Sequence, residues 1–113
     1  MSYYQYQAKL IKVVDGDTVD LEVDLGFSVL HKMRFRLLYI NAPEMKGPER
    51  PLGLISKQHL IDLLGSEPLK IITHKDSSDV YGRYLCEIFI HETHSVNAQM
   101  VTDGQAIPFM VGE

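Results

Sequence analysis

From Thr18 to Leu25 polar and apolar side chains alternate without a break, with Val19, Leu21, Val23 and Leu25 on one side and Thr18, Asp20, Glu22 and Asp24 on the other. A period of two predicts a half-buried β-strand. Just upstream, the apolar run Ala8-Lys9-Leu10-Ile11-Lys12-Val13-Val14 ends at Asp15-Gly16, and an Asp-Gly pair between two strand-like runs is a strong tight-turn signal. The two runs are therefore predicted to form a hairpin with Asp15 and Asp17 bracketing its tip. A third strand is expected over about Lys32 to Ile40. It would place Met33, Phe35, Leu37 and Tyr39 on one side, Arg34, Arg36 and Leu38 on the other, and stop before Pro43.

The stretch from Glu44 to Arg50 holds a proline, a glycine and four charged residues without period, and reads as an exposed loop. Pro51 suits the first turn of a helix, Leu54, Leu60, Ile61 and Leu64 recur at helical spacing, and Gly65 can end the run in a left-handed cap. Leu69 to His74 and Tyr84 to Ile90 read as two more strands joined by the polar turn Lys75-Asp76-Ser77-Ser78-Asp79. Ser95 is placed to cap a short helix in which Val96 and Met100 share a face and Gly104 ends the run. The fold class is thus mainly β with α (α+β). Five strands with one helix between the third and fourth, and a short C-terminal helix, is the element order of a five-stranded OB-type Greek-key barrel. Such barrels bind oligonucleotides across one face, but a fold by itself does not establish a function.

With 113 residues, 45% of them hydrophobic and 23% charged, the chain is expected to form one domain over residues 1–113 with one core. A formal charge of -4 argues against the broad basic surface of a protein that coats nucleic acid, because such binding is mainly phosphate neutralisation. A locally positive cleft remains compatible with it. The single cysteine, Cys86, cannot form an internal disulfide and lies in an apolar strand-like run that suits a buried thiol. Met1-Ser2-Tyr3-Tyr4-Gln5-Tyr6-Gln7 has neither the basic start nor the apolar run of a signal peptide, so the chain as written is expected in the cytoplasm, with release by another route left open. No segment approaches the roughly 20 apolar residues that cross a bilayer, and no membrane role is expected.

Chemistry-bearing residues gather in three places. They are Asp15-Gly16-Asp17-Thr18, the segment Arg34-Phe35-Arg36-Leu37-Leu38-Tyr39-Ile40-Asn41-Ala42-Pro43-Glu44, and Tyr81-Gly82-Arg83. Displacement at phosphorus spreads charge over the equatorial oxygens, so a metal ion and guanidinium groups must meet it while a base activates water. Acidic clusters and two arginines supply that set, which points to a small metal-dependent nuclease. Each piece also has a plainer reading. Asp15 and Asp17 can be turn formers, Arg36 can pair with Glu22 or Asp24 across the sheet, and Tyr81-Gly82-Arg83 can be an ordinary start of a strand. Favouring the functional reading, Arg36 stands eight positions before Glu44, and a proline-bent loop between them can fold the carboxylate back. Lys46, Glu49 and Arg50 read as a solvated loop that can also line a substrate path. His91-Glu92-Thr93-His94 is one residue short of the metalloprotease spacing, and there is no nucleophile elbow and no base beside Cys86.

Taken together, Val14-Asp15-Gly16-Asp17-Thr18, Phe35-Arg36-Leu37-Leu38 with Pro43-Glu44, Asp79-Val80-Tyr81-Gly82-Arg83, and Val96-Asn97 followed by Gly104-Gln105-Ala106 resemble the staphylococcal nuclease (thermonuclease) family, in that family's order and across about residues 9 to 107. The resemblance implies a calcium-dependent enzyme that cleaves DNA and RNA at the 5′ side of the phosphodiester and leaves 3′-phosphate ends. It implies that Asp17 ligates the metal with Asp15 in support, and that Glu44 orients water as general base. It further implies that Arg36 and Arg83 clamp phosphate, and that the Tyr81 hydroxyl meets a terminal phosphate. DNA or RNA would be the partner, and no protein partner is implied.

Several positions depart from the family pattern. Asn41 stands where a second metal-ligating aspartate is usual; its amide oxygen can still ligate a hard cation, but with one negative charge fewer, so affinity should fall or another divalent ion be preferred. Ala42 lacks the usual threonine hydroxyl yet keeps the backbone carbonyl that the family places on the metal. Val80 replaces a lysine, Met110 stands near where an aromatic would stack on a base, and the sequence ends at Glu113 without the further helix of longer nucleases. The competing expectation is a catalytically inactive module on the same barrel that holds nucleic acid or a peptide. Glu44 beside both arginines favours the enzyme, because a binder has no use for a positioned base.

Overall fold

The elements run β1 (Tyr4–Asp15), β2 (Thr18–Asp24), β3 (Leu30–Leu37), β4 (Ile40–Asn41), a 3-10 turn (Gly47–Glu49), α1 (Arg50–Leu64), β5 (Leu69–Lys75), β6 (Tyr84–Ile90), β7 (His94–Ser95), α2 (Val96–Thr102) and β8 (Ile107–Pro108). This computed structural model describes residues 4–66, 68–75, 84–91 and 93–109. The predicted turn at residues 76–79 lies outside them, as do Val80 and Met110.

The hairpin forms as its alternation requires. β1 and β2 pair antiparallel with Asp15 opposite Thr18 across a two-residue tip. Val19, Leu21 and Val23 are buried, whereas Leu25 lies beyond the strand end and is 42% exposed. β1 is longer than its apolar run suggested and serves two partners, β5 through Tyr4 to Ala8 and β2 through Gln7 to Asp15. An irregularity between Leu10 and Lys12 puts Ile11 out of step and into water. The strand order β3-β2-β1-β5-β6 is closed by a parallel contact of Phe35, Arg36 and Leu37 with Tyr84, Leu85 and Cys86. Closure makes the five-stranded OB-type barrel, with α1 between its third and fourth strands and α2 near the C-terminal end. Phe35, Leu37, Leu60, Leu64, Ile71 and Ile88 are fully buried in the core.

The third strand ends three residues earlier than expected. Leu37 N–H donates to the Asp17 carbonyl and Leu38 N–H to the Cys86 carbonyl, both at 2.8 Å, and the chain then turns through Tyr39 at φ 69°. Leu38 is therefore buried and Tyr39 half-exposed, the reverse of the predicted facing. Ile40 and Asn41 leave the barrel sheet and pair with Pro108 and Ile107 of β8. Buried Asn97 makes the break possible: its Nδ2 donates to the Leu38 carbonyl (2.9 Å) and the Cys86 carbonyl (3.0 Å), and its Oδ1 accepts from Ile88 N–H (3.1 Å). One amide side chain replaces the ladder bonds that a longer strand would have made.

α1 begins with Pro51 in its first turn, as expected. Its buried stripe is Gly53, Ser56, Leu60 and Leu64, while Leu54 is 44% exposed, so the small residues and not Leu54 meet the barrel. Gly65 ends the helix with φ 55° and ψ -141°, a positive-φ cap that is extended in ψ and not left-handed helical, and its N–H donates to the Ile61 carbonyl. In α2 the Ser95 hydroxyl accepts from Ala98 N–H at 3.2 Å, Val96, Asn97 and Met100 are buried, and Gly104 follows at φ 75°.

Candidate functional site

The site is built where α1 presses on the hairpin tip. Gly16 is needed for clearance and not for a turn angle, since it does not adopt a positive φ. A Cβ there would overlap the Ser56 hydroxyl and lie 2.7 Å from the Ala42 methyl group. Gly53 does the same service on the helix: a Cβ would overlap the Glu44 carbonyl oxygen and lie 2.7 Å from its carbon. Ser56 then donates to the Gln105 carbonyl at 2.8 Å, tying the helix to the segment that leads into β8. Two glycines and a serine thus bring the Asp15 to Asp17 tip, the Asn41 to Glu44 segment and residues 104–108 within touching distance.

Asp17 is 9% exposed and doubly held. Its Oδ1 accepts from the Thr18 hydroxyl (3.1 Å) and its Oδ2 from Ala42 N–H (2.9 Å). Asp15 Oδ1 accepts from Asp17 N–H at 3.1 Å. Burial, then the neighbouring Asp17 carboxylate, push the Asp15 carboxyl up to about 6. Arg36 sits opposite Thr18 in the ladder, which carries its Nη2 to 3.8 Å from Asp17 Oδ2 and to a 3.1 Å hydrogen bond with Asn41 Oδ1. The cross-strand ion pair considered for Arg36 belongs instead to Arg34, which donates to both Asp20 oxygens at 2.8 and 3.2 Å. The guanidinium of Arg36 also lies over the Phe109 ring, 5.0 Å from its centroid.

Asp15, Asp17, Asn41, Ala42 and exposed Glu44 line one open cleft of about 490 Å³, together with Thr18, Pro43, Met45 and Lys46. Arg36 reaches it through Asn41 and Asp17. Tyr81 and Arg83 lie outside the described residues. A smaller cavity of about 170 Å³ shares the Asn41 to Pro43 wall and is otherwise lined by Glu49 and Gly104 to Ile107. The cleft is lined by two aspartates and by Asn41, whose amide oxygen also accepts from Arg36, so its donors are oxygens, and the crowded acid pair favours positive charge between its members. That chemistry fits a hard divalent cation. Among the described residues no three histidine, cysteine, aspartate or glutamate side chains gather as a metal-holding group, in this cleft or outside it, so any ion here would depend on the two aspartates with amide and backbone oxygens; His94 lies in β7 and His91 in the turn before it. Cys86 is fully buried, and burial pushes its thiol well above the ordinary range, so it is no nucleophile.

Reading the sequence missed Gly16 as a contact point, Gly53, Ser56, Asn97 as a strand stitch, and Phe109. Gly53 carried a signal, since a glycine inside a helical run implies close packing. Asn97 stands in the family-like pair Val96-Asn97, but the bonds it makes cannot be read without knowing its neighbours, and Phe109 carried no signal.

A closed OB-type barrel whose hairpin tip, bent third strand and loop converge on an acidic cleft beside an arginine defines the class of protein. Residues 34–112, well over half the chain, match the family described as staphylococcal nuclease homologue. The chain belongs to that family. It is also similar to Protein ParB of Escherichia coli, with 27% identity over 113 residues, covering 93% of this chain and 58% of that protein. The chain therefore spans under two thirds of that relative's length. Among the described residues, no helix is long and apolar enough to cross a membrane.

Proposed function

We propose that the chain is a metal-dependent endonuclease that hydrolyses phosphodiester bonds of DNA or RNA with little sequence preference and leaves 3′-phosphate ends. The supporting observation is the approach of Arg36 to Asp17 at a cleft that Glu44 also lines. Asp17, Asn41 and the Ala42 carbonyl would hold a calcium or other divalent ion, with Asp15 in support. When bound, the ion supplies Lewis-acid polarisation of the phosphate and lowers the pKa of water. Glu44 takes a proton from the attacking water, whose oxygen bonds to phosphorus as the bond to the 5′ oxygen breaks. Arg36 and Arg83 donate paired N–H groups to the phosphoryl oxygens as charge grows on them, a geometry that lysine cannot reproduce. Tyr81 donates its hydroxyl to a terminal phosphate. Flexible or single-stranded segments suit an open cleft that must admit the backbone.

The hydrogen bond from Arg36 to Asn41 Oδ1 favours a second reading, in which the amide holds the arginine and the cleft binds nucleic acid or peptide without chemistry. Digestion of plasmid and RNA with calcium, magnesium, manganese or chelator separates the two. The enzyme reading expects cleavage that chelator abolishes and product ends bearing 3′-phosphate. Binding without cleavage under every ion would leave only the module.

A further inference from the structure

We propose that Phe109 is a positioning residue for Arg36, which it holds flat beside Asp17 so that the guanidinium meets phosphate without first being ordered. The proposal rests on the reading of Arg36 as a phosphate donor. A planar group is fixed when one contact takes its edge and another its face. Asn41 Oδ1 takes an edge of Arg36 at 3.1 Å, and the Phe109 ring takes the face at 5.0 Å from Cζ. Both contacts arise from one small structure. Asn41 and Ile107 are paired in the two-stranded sheet, and Phe109 follows directly with its N–H donating to the Tyr39 carbonyl at 2.8 Å. Any shift of that bracket moves edge and face contacts together. The Arg36 side chain is only 14% exposed although charged, whereas Phe109 is 42% exposed and stands outside the core cluster. The ring's packing thus serves the arginine more than the core. Among the described residues Asn41 is the hydrogen-bond partner of Arg36, and a guanidinium carries five N–H donors, so donors remain for a phosphate. A ring face attracts a cation by its quadrupole, more strongly as water leaves on substrate entry.

The test compares Phe109→Leu with Phe109→Trp in the full chain, using a single-stranded oligonucleotide with calcium. Phe109→Leu is expected to lower kcat about fivefold with KM and Tm little changed, and Phe109→Trp to restore it. In an Arg36→Lys background the leucine change should cost nothing further. A readout independent of turnover is the ring-current shift of the Arg36 Nε–H resonance, which should collapse in Phe109→Leu and persist in Phe109→Trp. Equal kcat in wild type and Phe109→Leu, an equal loss in the Arg36→Lys background, or an unmoved resonance would each overturn the proposal. Should wild type cleave nothing under any ion, the nuclease reading falls, and the resonance alone decides whether Phe109 orders Arg36.

Discussion

Asp17 carries more of the local structure than any other acid in the cleft, because each of its oxygens is already aimed by a donor, Thr18 on one side and Ala42 on the other. A ligand held that firmly needs little reorganisation when charge arrives. Glu44 differs: its backbone is pinned against Gly53, while the residue is exposed and lines the cleft. Glu44→Gln keeps the shape and removes the base, so cleavage should fall by at least about a hundredfold with an unchanged melting curve. Gly16→Ala should act the other way round. Its methyl group has no room between Ser56 and Ala42, and a loss of about 2 kcal/mol in denaturant unfolding is expected from the overpacking, with activity falling as the tip is pushed off the helix. Unaltered stability in that variant would mean that the tip yields freely.

At the level of elements, the hairpin, the helix between the third and fourth strands, and the Ser95 cap were legible because each follows from local rules: period two, a proline at a helix start, a hydroxyl before a helix. The early end of β3 was not. Nothing in Leu37-Leu38-Tyr39-Ile40 breaks a strand, and only the Asn97 amide, far along the chain, explains why Leu38 turns inward. In α1 Leu60 and Leu64 are buried and Ile61 packs on the core as their spacing predicts, whereas Leu54 is exposed and Gly53 and Ser56 take the contact, because small residues are chosen by the neighbour they approach and leucine spacing cannot reveal that. Most of the candidate site was readable as a set of residue types, and Asp15, Asp17, Asn41, Ala42 and Glu44 do share a cleft. Their supports Ser56 and Phe109 were hidden, and Gly53 was signalled only as a glycine inside a helical run. Asn97→Ala takes the amide partner from the Leu38 carbonyl and Ile88 N–H, and leaves the Cys86 carbonyl with Leu38 N–H, so a loss of about 3 kcal/mol is expected in equilibrium unfolding. A loss below about 0.5 kcal/mol would show that β3 ends early without it.

Across the whole molecule, the ladders of β2 with β3 and of β1 with β5 tie the family-matched residues 34–112 to the upstream hairpin that supplies Asp15 and Asp17. Acid should loosen the molecule through its surface pairs. Hydrogen bonds from Arg34, and from His59 and Gln99, hold the Asp20 and Asp103 carboxyls below the ordinary 3.8. A depressed folded-state value adds stability above the unfolded value that is lost as pH falls through the folded one, so these pairs support the fold above about pH 4 and fail below it. Both pairs lie at the surface, with the Asp20 side chain 19% and the Asp103 side chain 26% exposed, and the effect should be small and salt-sensitive. Melting curves from pH 6 to 3 should show a shallower acid limb in Asp20→Asn with Asp103→Asn than in wild type; an identical limb would place acid sensitivity elsewhere.

The central claim is that a cation in the Asp17 cleft and the Arg36 guanidinium act on one phosphate. The most direct measurement is cleavage rate against free calcium for wild type, Asp17→Ala and Asn41→Asp. Wild type should saturate with calcium and fall to background in chelator, Asp17→Ala should stay at background throughout, and Asn41→Asp should reach half-saturation at lower calcium because it adds a negative charge to the donor set. Full cleavage in chelator, or an Asp17→Ala curve that overlays wild type, would contradict the account.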